Sequence, residues 1–157
     1  MLLAIGSDKS GYTLKEAVKA YLTEQGHEVQ DMGLIDPDGF MPYYTVASNV
    51  AGKVSGGEFE KAVLICGTGA GMCIVANKFK GVYAVVAEGS YTARMAAVVN
   101  QANILTMGGW AIAPQQAIDM VDRWLKAGFT EGFPEDRQQF LRNAFDEVRK
   151  IENDHFK

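Results

Sequence analysis

The chain has 157 residues, of which 48% are hydrophobic and 22% are charged. This composition is globular and excludes a disordered, collagen-like or disulfide-rich protein, and the length fits one domain over residues 1–157. Because 19 acidic residues outnumber 15 lysines and arginines, the net charge is -4, so we expect neither nucleic acid nor a membrane surface as a partner.

Along the chain, short β-like runs alternate with helical runs, and this order predicts an α/β fold. The predicted strands are residues 2–6, 28–33, 61–66, 82–87 and 104–107. The predicted helices run from Thr13 to Gly26, over 43–54, from the glycine loop to about Lys78, over 91–99, from Pro114 to Gly128, and over about 134–152. We therefore expect a three-layer, Rossmann-like, doubly wound sheet of five parallel strands.

Helix ends are predicted from capping residues. Thr13 with Glu16 has the spacing of a capping box, and Ser90 is the expected cap of the fourth helix. The last helix carries an apolar stripe, which must pack either on this domain or on a partner subunit, and we expect this helix to extend to the partner in a dimer. The stripe consists of Leu141, Ala144, Phe145 and Val148.

The cysteines indicate a reducing compartment. Cys66 and Cys73 lie in one segment, form no disulfide framework and have no metal-ligand spacing, so we expect a cytoplasmic protein without metal or cofactor. The apolar start, residues 1–6, is too short for a signal peptide. No apolar run reaches the roughly 20 residues that cross a bilayer.

Two loops at strand ends are candidates for a ligand site. Residues 7–11 follow the first predicted strand and residues 67–71 follow the third. Ligands of doubly wound sheets bind beyond the carboxyl ends of the strands, where strand order reverses. If these strands are neighbours, Asp8, Lys9 and Cys66 share one crevice with the glycine loop.

The loop Gly67-Thr68-Gly69-Ala70-Gly71 leads from a strand into a helix, so its amides can form an anion-binding nest, although a plain tight turn explains it equally well. It lacks the Walker A ending, and Met72 stands where the dinucleotide fingerprint needs glycine. Cys66 can be a base or nucleophile beside that nest, or a small buried residue that ends a strand. Cys73 is expected in the core.

Other polar groups are less informative. His27 and His155 lie far along the chain from these loops, which disfavours a Ser-His-Asp or Cys-His mechanism. Asp8 and Lys9 can belong to the site or to an exposed polar loop.

A family resemblance rests on several matching segments. They are residues 64–72, Ala76-Asn77-Lys78 with Gly81, Gly6-Ser7-Asp8 with Gly11, Leu14-Lys15, Tyr91-Thr92-Ala93-Arg94 and residues 100–105. With these segments the chain resembles the ribose-5-phosphate isomerase B family, which includes the galactose-6-phosphate isomerase subunits. The resemblance covers about residues 1–130.

The resemblance implies a metal-free aldose–ketose isomerase of a sugar phosphate, in a homodimer or dimer of dimers whose active sites combine residues of both subunits. It implies that Cys66 is the base that moves a proton between C1 and C2 and that Thr68 shuttles hydroxyl protons. Asp8 would bind substrate hydroxyls, and Asn100 would stabilise the enediolate together with amides of the loop. The loop residues expected to contact substrate are Gly67, Gly69, Ala70 and Gly71; Tyr43 is a further candidate.

The chain departs from the family pattern at positions that matter. Val99 replaces the histidine credited with opening the furanose ring, so either Asp8 or Tyr43 opens the ring or the substrate has none. An aldotetrose 4-phosphate cannot close a furanose, and we therefore expect a tetrose or tetrulose phosphate.

The implied phosphate pocket is altered as well. Trp110 and Phe133 replace two arginines, Lys9 replaces a histidine, and Arg137 is kept. The alternatives are a ribose-5-phosphate or hexose-6-phosphate isomerase, a catalytically weak subunit of a two-subunit isomerase and, more distantly, a nucleotide-binding stress-type module.

Overall fold

The computed structural model describes residues 1–156. The strands are β1 (Leu2–Ser7), β2 (Glu28–Asp31), β3 (Lys61–Cys66), β4 (Ala84–Val86) and β5 (Ile104–Gly108). The helices are α1 (Tyr12–Glu24), α2 (Tyr43–Ser55), α3 (Ala70–Ala76), α4 (Ser90–Asn100), α5 (Pro114–Lys126) and α6 (Glu135–His155), and a 3₁₀ turn covers Lys9–Gly11. All strand pairs are parallel, in the order β2-β1-β3-β5-β4. The predicted parallel α/β fold is confirmed.

Helices cover both faces of the sheet. Successive side chains of a strand point to opposite faces, and in the central strands the side chains on both faces are apolar and must be buried. Val63 and Ile65 of β3 face one core, to which α1, α4 and α5 contribute. Ala62, Leu64 and Cys66 face the other core, which is closed by α2 and α3. The side chain of Cys66 therefore lies on the face of α2 and α3.

Both predicted helix caps are wrong. Helix α1 begins at Tyr12 with Gly11 as its N-cap, since it continues directly from the 3₁₀ turn. Helix α4 begins at Ser90 with Gly89 as its N-cap, and the Ser90 hydroxyl donates instead to Asp119 of α5. At Ser90 a tertiary contact thus takes the hydroxyl that the sequence assigned to capping.

The edge strands are shorter than predicted. Strand β4 begins at Ala84, where side-chain oxygens of two asparagines accept hydrogen bonds from backbone amides. The Tyr83 amide donates to Asn103 Oδ1 at 2.8 Å, and the Ala84 amide donates to Asn77 Oδ1 at 2.8 Å. At the other edge β2 ends at Asp31, where the Gly33 amide turns back to the Asp31 carboxylate at 3.1 Å.

A buried lysine fixes the loop that follows β2. Lys15 of α1 is 0% exposed, and its ammonium donates to Asp31 Oδ2 at 2.6 Å and to the Leu34 carbonyl at 2.6 Å. Burial alone would raise the pKa of Asp31, but hydrogen bonds from Lys15 and Lys19 outweigh it and hold that pKa below its ordinary value. This ion pair ties α1 to the segment that leads to α2.

The C-terminal helix α6 packs beside the edge strand β4. Its Leu141 and Phe145 are buried, and the Phe145 ring lies 4.8 Å from that of Tyr83. Val148, from the same predicted stripe, stays 45% exposed. The stripe therefore packs on this chain only in part. Within residues 1–156, no helix combines the length and apolarity that crossing a bilayer requires.

Candidate active site

The carboxyl ends of β1 and β3 form a crevice, because these strands are neighbours with Ser7 opposite Ile65. The crevice has a volume of about 260 Å³. It is lined by Asp8, Ser10, Tyr43, Cys66, Gly67, Thr68, Gly71 and Trp110. The structure thus brings together Asp8, Cys66 and the glycine loop, as the sequence predicts for neighbouring strands.

The glycine loop directs one of its amides at the thiol of Cys66. Gly69 has φ +79°, a left-handed conformation that favours glycine, and this turn aims its amide back along the chain. The Gly69 amide donates a hydrogen bond to Cys66 Sγ at 3.2 Å. The positive end of a backbone dipole therefore points at the sulfur.

A second loop amide is occupied by a side chain. The Ala70 amide donates to Thr68 Oγ1 at 3.3 Å, so the hydroxyl of Thr68 is fixed at the start of α3.

Cys66 itself is 5% exposed although its surface lines the crevice. Cys66 is therefore a buried residue that ends a strand and also a residue of the crevice wall. The two interpretations of Cys66 from the sequence, a buried strand end and a base beside the glycine loop, are compatible.

Asp8 caps the 3₁₀ turn after β1. Its Oδ1 accepts a hydrogen bond from the Gly11 amide at 3.1 Å. Burial raises the pKa of Asp8 above its ordinary value, against the lowering effect of that backbone hydrogen bond. A carboxyl group with a raised pKa in a crevice can exchange protons with a bound hydroxyl more readily than an ordinary aspartate.

Two aromatic side chains border the loop. A Cβ built on Gly71 would lie 2.8 Å from Cε2 of Tyr43, and a Cβ on Gly67 would lie 2.7 Å from Cζ2 of Trp110. Both rings thus rest directly on glycine backbone. Tyr43 was among the predicted contacts, whereas Ser10 and Trp110 were not predicted to contact substrate. Their positions in the chain could have indicated this, since Ser10 follows β1 and Trp110 follows β5, and these two strands flank β3.

Other predicted site residues lie outside the crevice of this chain. Lys9 is exposed on the 3₁₀ turn, and Ala70 is exposed at the start of α3. Asn100 and Arg137 line a second cavity of about 440 Å³ between α4 and α6, together with Val99. A single chain therefore does not unite Cys66 with these two residues.

The second cavity is largely apolar. Phe140, Leu141 and Val148 of α6 line it, and the Arg137 guanidinium carbon lies 4.8 Å from the Phe140 ring. Phe140 is 56% exposed. The cavity combines one cation and two side-chain amides with the uncovered apolar wall of α6.

The remaining reactive groups lie elsewhere. His27 lines a cavity beside α5, and His155 ends α6. The half-buried thiol of Cys73 donates to the Ala84 carbonyl at 3.3 Å, and burial raises its pKa. Among residues 1–156, no three His, Cys, Asp or Glu side chains gather as metal ligands would.

Comparisons with known proteins point to one family. The sequence profile of the Ribose/Galactose Isomerase family matches residues 3–141. A 4-deoxy-4-sulfo-D-erythrose isomerase of Clostridium sp. (strain MSTE9) is 52% identical over 152 residues, which cover 97% of this chain and 96% of that protein. A D-erythrulose-4-phosphate isomerase of Pectobacterium atrosepticum is 37% identical, over 83% of this chain and 86% of that protein.

A solved structure shows the same fold over the whole chain. Ribose-5-phosphate isomerase B of Clostridium thermocellum superposes with a TM-score of 0.89 at 37% identity, covering 99% of both chains. The resemblance noted in the sequence is thereby confirmed. On the matched profile, these relatives and the shared fold, the chain belongs to the ribose/galactose isomerase family.

Proposed function

We propose that this protein interconverts an aldose and a ketose of four carbons that carry an anionic group at C4 and stay open-chain in solution. It would act in the cytoplasm, where its two free thiols stay reduced. The observation that carries the proposal is the Cys66 thiol, which faces the crevice with the Gly69 amide on its sulfur. The two curated relatives described above are named for four-carbon sugars.

The proposed chemistry moves one proton between neighbouring carbons. Cys66 removes the proton from C2 of the aldose while the C1 oxygen gains one, which leaves an enediol or enediolate. The hydroxyl of Thr68 relays the proton between the two oxygens. Cys66 then returns its proton to C1, and the C2 oxygen becomes the ketone. Loop amides, with Asn100 from a second copy of the chain, stabilise the developing negative charge.

A substrate without a furanose ring explains why position 99 can be a valine. Its aliphatic side chain cannot transfer a proton, so a cyclic sugar would depend on Asp8 or Tyr43 to open. A four-carbon aldose with an anion at C4 has no free oxygen with which to close a furanose. Such a substrate therefore reaches Cys66 without a ring-opening step.

The charges favour a sulfonate as the C4 anion. Trp110 and Phe133 supply no cation, and Lys9 and Arg137 are the two cations assigned to the anion pocket by resemblance. A phosphate ester carries about -1.5 to -2 charges near neutral pH, whereas a sulfonate carries one. Guanidinium groups hold a phosphate more strongly than the less charged sulfonate. A pocket with fewer guanidiniums therefore prefers phosphate over sulfonate less strongly. Phosphate at the same carbon is the second candidate.

The site is proposed to be completed by dimerisation. Asn100 and Arg137 line an open cavity on the apolar wall of α6, separate from the crevice of their own chain. A second copy that covers this wall would bring these two residues to the opposite crevice. The exposed apolar residues Phe140, Val148 and Ile151 would then be buried.

Isotope exchange tests the reaction and its base. Purified protein is incubated in D₂O with 4-deoxy-4-sulfo-erythrose, erythrose 4-phosphate or ribose 5-phosphate, and deuterium at C1 and C2 is followed by NMR. We expect turnover of the four-carbon sugars, fastest with the sulfonate. Turnover of ribose 5-phosphate alone would contradict the proposal.

Cysteine variants locate the base. We expect Cys66→Ala and Cys66→Ser to lose exchange by about 10²–10⁴-fold, since they remove a general base, while calorimetry still detects substrate binding. Cys73→Ala is the matched control, because its thiol lies outside the crevice. Exchange that survives unchanged in Cys66→Ala would remove Cys66 from the mechanism.

A further inference from the structure

Trp110 occupies an unusual place for a large aromatic residue. It follows β5 in a turn of two glycines, and it is 75% exposed. Its six-membered ring covers Gly67, because Cε2 and Cζ2 both lie 2.7 Å from where a Cβ of that glycine would be. The indole therefore contributes little to the core and much to the wall of the crevice.

Backbone hydrogen bonds hold the turn that carries this indole against the glycine loop. The Gly109 amide donates to the Cys66 carbonyl at 2.7 Å, and the Trp110 amide donates to the Gly67 carbonyl at 3.1 Å. A Cβ on Gly109 would lie 2.5 Å from the Ser10 carbonyl oxygen, so the turn has no room to move toward the 3₁₀ turn. The backbone of Trp110 is thus hydrogen-bonded to the segment that carries the thiol.

Tyr43 borders the loop at its other end. Its ring rests on Gly71 as the indole rests on Gly67, with Cε2 and Cδ2 at 2.8 and 3.2 Å from the position of a Cβ. The two rings therefore bracket the amides of residues 67–71. Both side chains line the crevice.

We propose that Trp110 is a specificity-determining residue that limits the carbon chain of the substrate to four atoms. This inference rests on the proposed isomerase function. The resemblance places position 110 at the pocket for the terminal anion, and an indole that rests on Gly67 there brings the end of the crevice closer to Cys66. A sugar with one more carbon then has its anion against an apolar ring. Smaller side chains at this position lengthen the crevice.

Two ketose phosphates isolate chain length from every other variable. They are erythrulose 4-phosphate and ribulose 5-phosphate. Neither can close a furanose, because phosphate occupies the C5 oxygen of ribulose 5-phosphate and erythrulose 4-phosphate has no fifth carbon. They carry the same terminal group and differ by one hydroxymethylene carbon. The ratio of their kcat/KM values in the ketose-to-aldose direction therefore reports chain length, without contributions from ring opening or from the choice of anion.

The test compares Trp110→Ala with two controls. We expect this variant to raise the ratio for the five-carbon over the four-carbon ketose about tenfold or more, the effect of one carbon in a fitted pocket. Trp110→Phe keeps an aromatic ring and should raise the ratio less. Tyr91→Ala removes another aromatic side chain, 78% exposed on α4 and outside the crevice, and should leave the ratio unchanged.

The outcomes separate this inference from the proposed function. If the wild type isomerises four-carbon ketoses and Trp110→Ala leaves the ratio unchanged, the role of Trp110 is refuted while the reaction stands. If Tyr91→Ala changes the ratio as much as Trp110→Ala does, the effect is not one of the crevice and the inference also fails. A wild type that isomerises neither ketose nor the sulfonated sugar refutes the proposed function and the inference with it.

Discussion

Substituting Asp31 by Asn removes the negative charge that faces the buried ammonium of Lys15. The ammonium donates to Asp31 at 2.6 Å and to the Leu34 carbonyl at 2.6 Å, and Glu16 lies 3.0 Å away. Breaking a buried ion pair from one side costs about 3–5 kcal/mol, because the remaining charge stays without compensation. Since Glu16 remains nearby, we expect a loss of about 3 kcal/mol, at the low end of that range.

The opposite substitution is the matched control. Lys15→Met removes the buried charge and keeps similar bulk, and Asp31 retains Lys19 at 2.8 Å and the Gly33 amide. We expect a loss of only about 1–2 kcal/mol, mainly from lost hydrogen bonding. Urea titrations followed by far-ultraviolet circular dichroism measure both values, provided that the m-value is unchanged.

The pH dependence gives a second measurement on the same pair. The folded-state pKa of Asp31 is lowered from its ordinary 3.8, so its contribution is fully present above that value and is lost as pH falls through the folded pKa. The wild type and Asp31→Asn should therefore converge in stability in acid. A loss below about 1 kcal/mol at neutral pH, against the roughly 3 kcal/mol typical of a buried pair, would refute the reasoning. An equal loss in Lys15→Met would refute it too.

Two further predictions concern the crevice and its completion. Mixing equal amounts of Cys66→Ala and Asn100→Ala under conditions of subunit exchange should restore about a quarter of wild-type turnover, since half of the dimers are mixed and each mixed dimer holds one intact site of two. No recovery in mixtures shown to exchange subunits would contradict sites shared between chains. Asp8→Asn should lower turnover while stabilising the fold at neutral pH, because burial disfavours the charged carboxylate; its raised pKa means that the stability difference in urea titrations should shrink as pH falls through it. Equal stability of both proteins at neutral pH would argue against a buried Asp8 charge.

The sequence predicted the crevice because its signals are local. Glycines after β3 and the Asp8 turn after β1 mark the carboxyl ends of two strands, and parallel topology then places those ends at one edge. The predicted site residues Asp8, Cys66 and Thr68 all line it. Their roles in catalysis stay predictions.

Features that depend on distant contacts were not predictable in this way. The start of β4 is set by side chains of Asn77 and Asn103, which no period-2 pattern records. Ser90 caps no helix because Asp119 of α5 takes its hydroxyl. The position of the Trp110 indole on Gly67 follows from the pairing of β3 with β5, and sequence alone gives no neighbour for a lone aromatic residue.

The unequal environments of the two tryptophans give this protein an internal optical reporter. Trp110 is 75% exposed at the crevice, whereas Trp124 is 0% exposed and its Nε1 donates to the Ala102 carbonyl. A collisional quencher such as acrylamide reaches the first indole and is shielded from the second. Occupancy of the crevice can thus be read from the emission of the unlabelled chain, with Trp124 as the built-in reference.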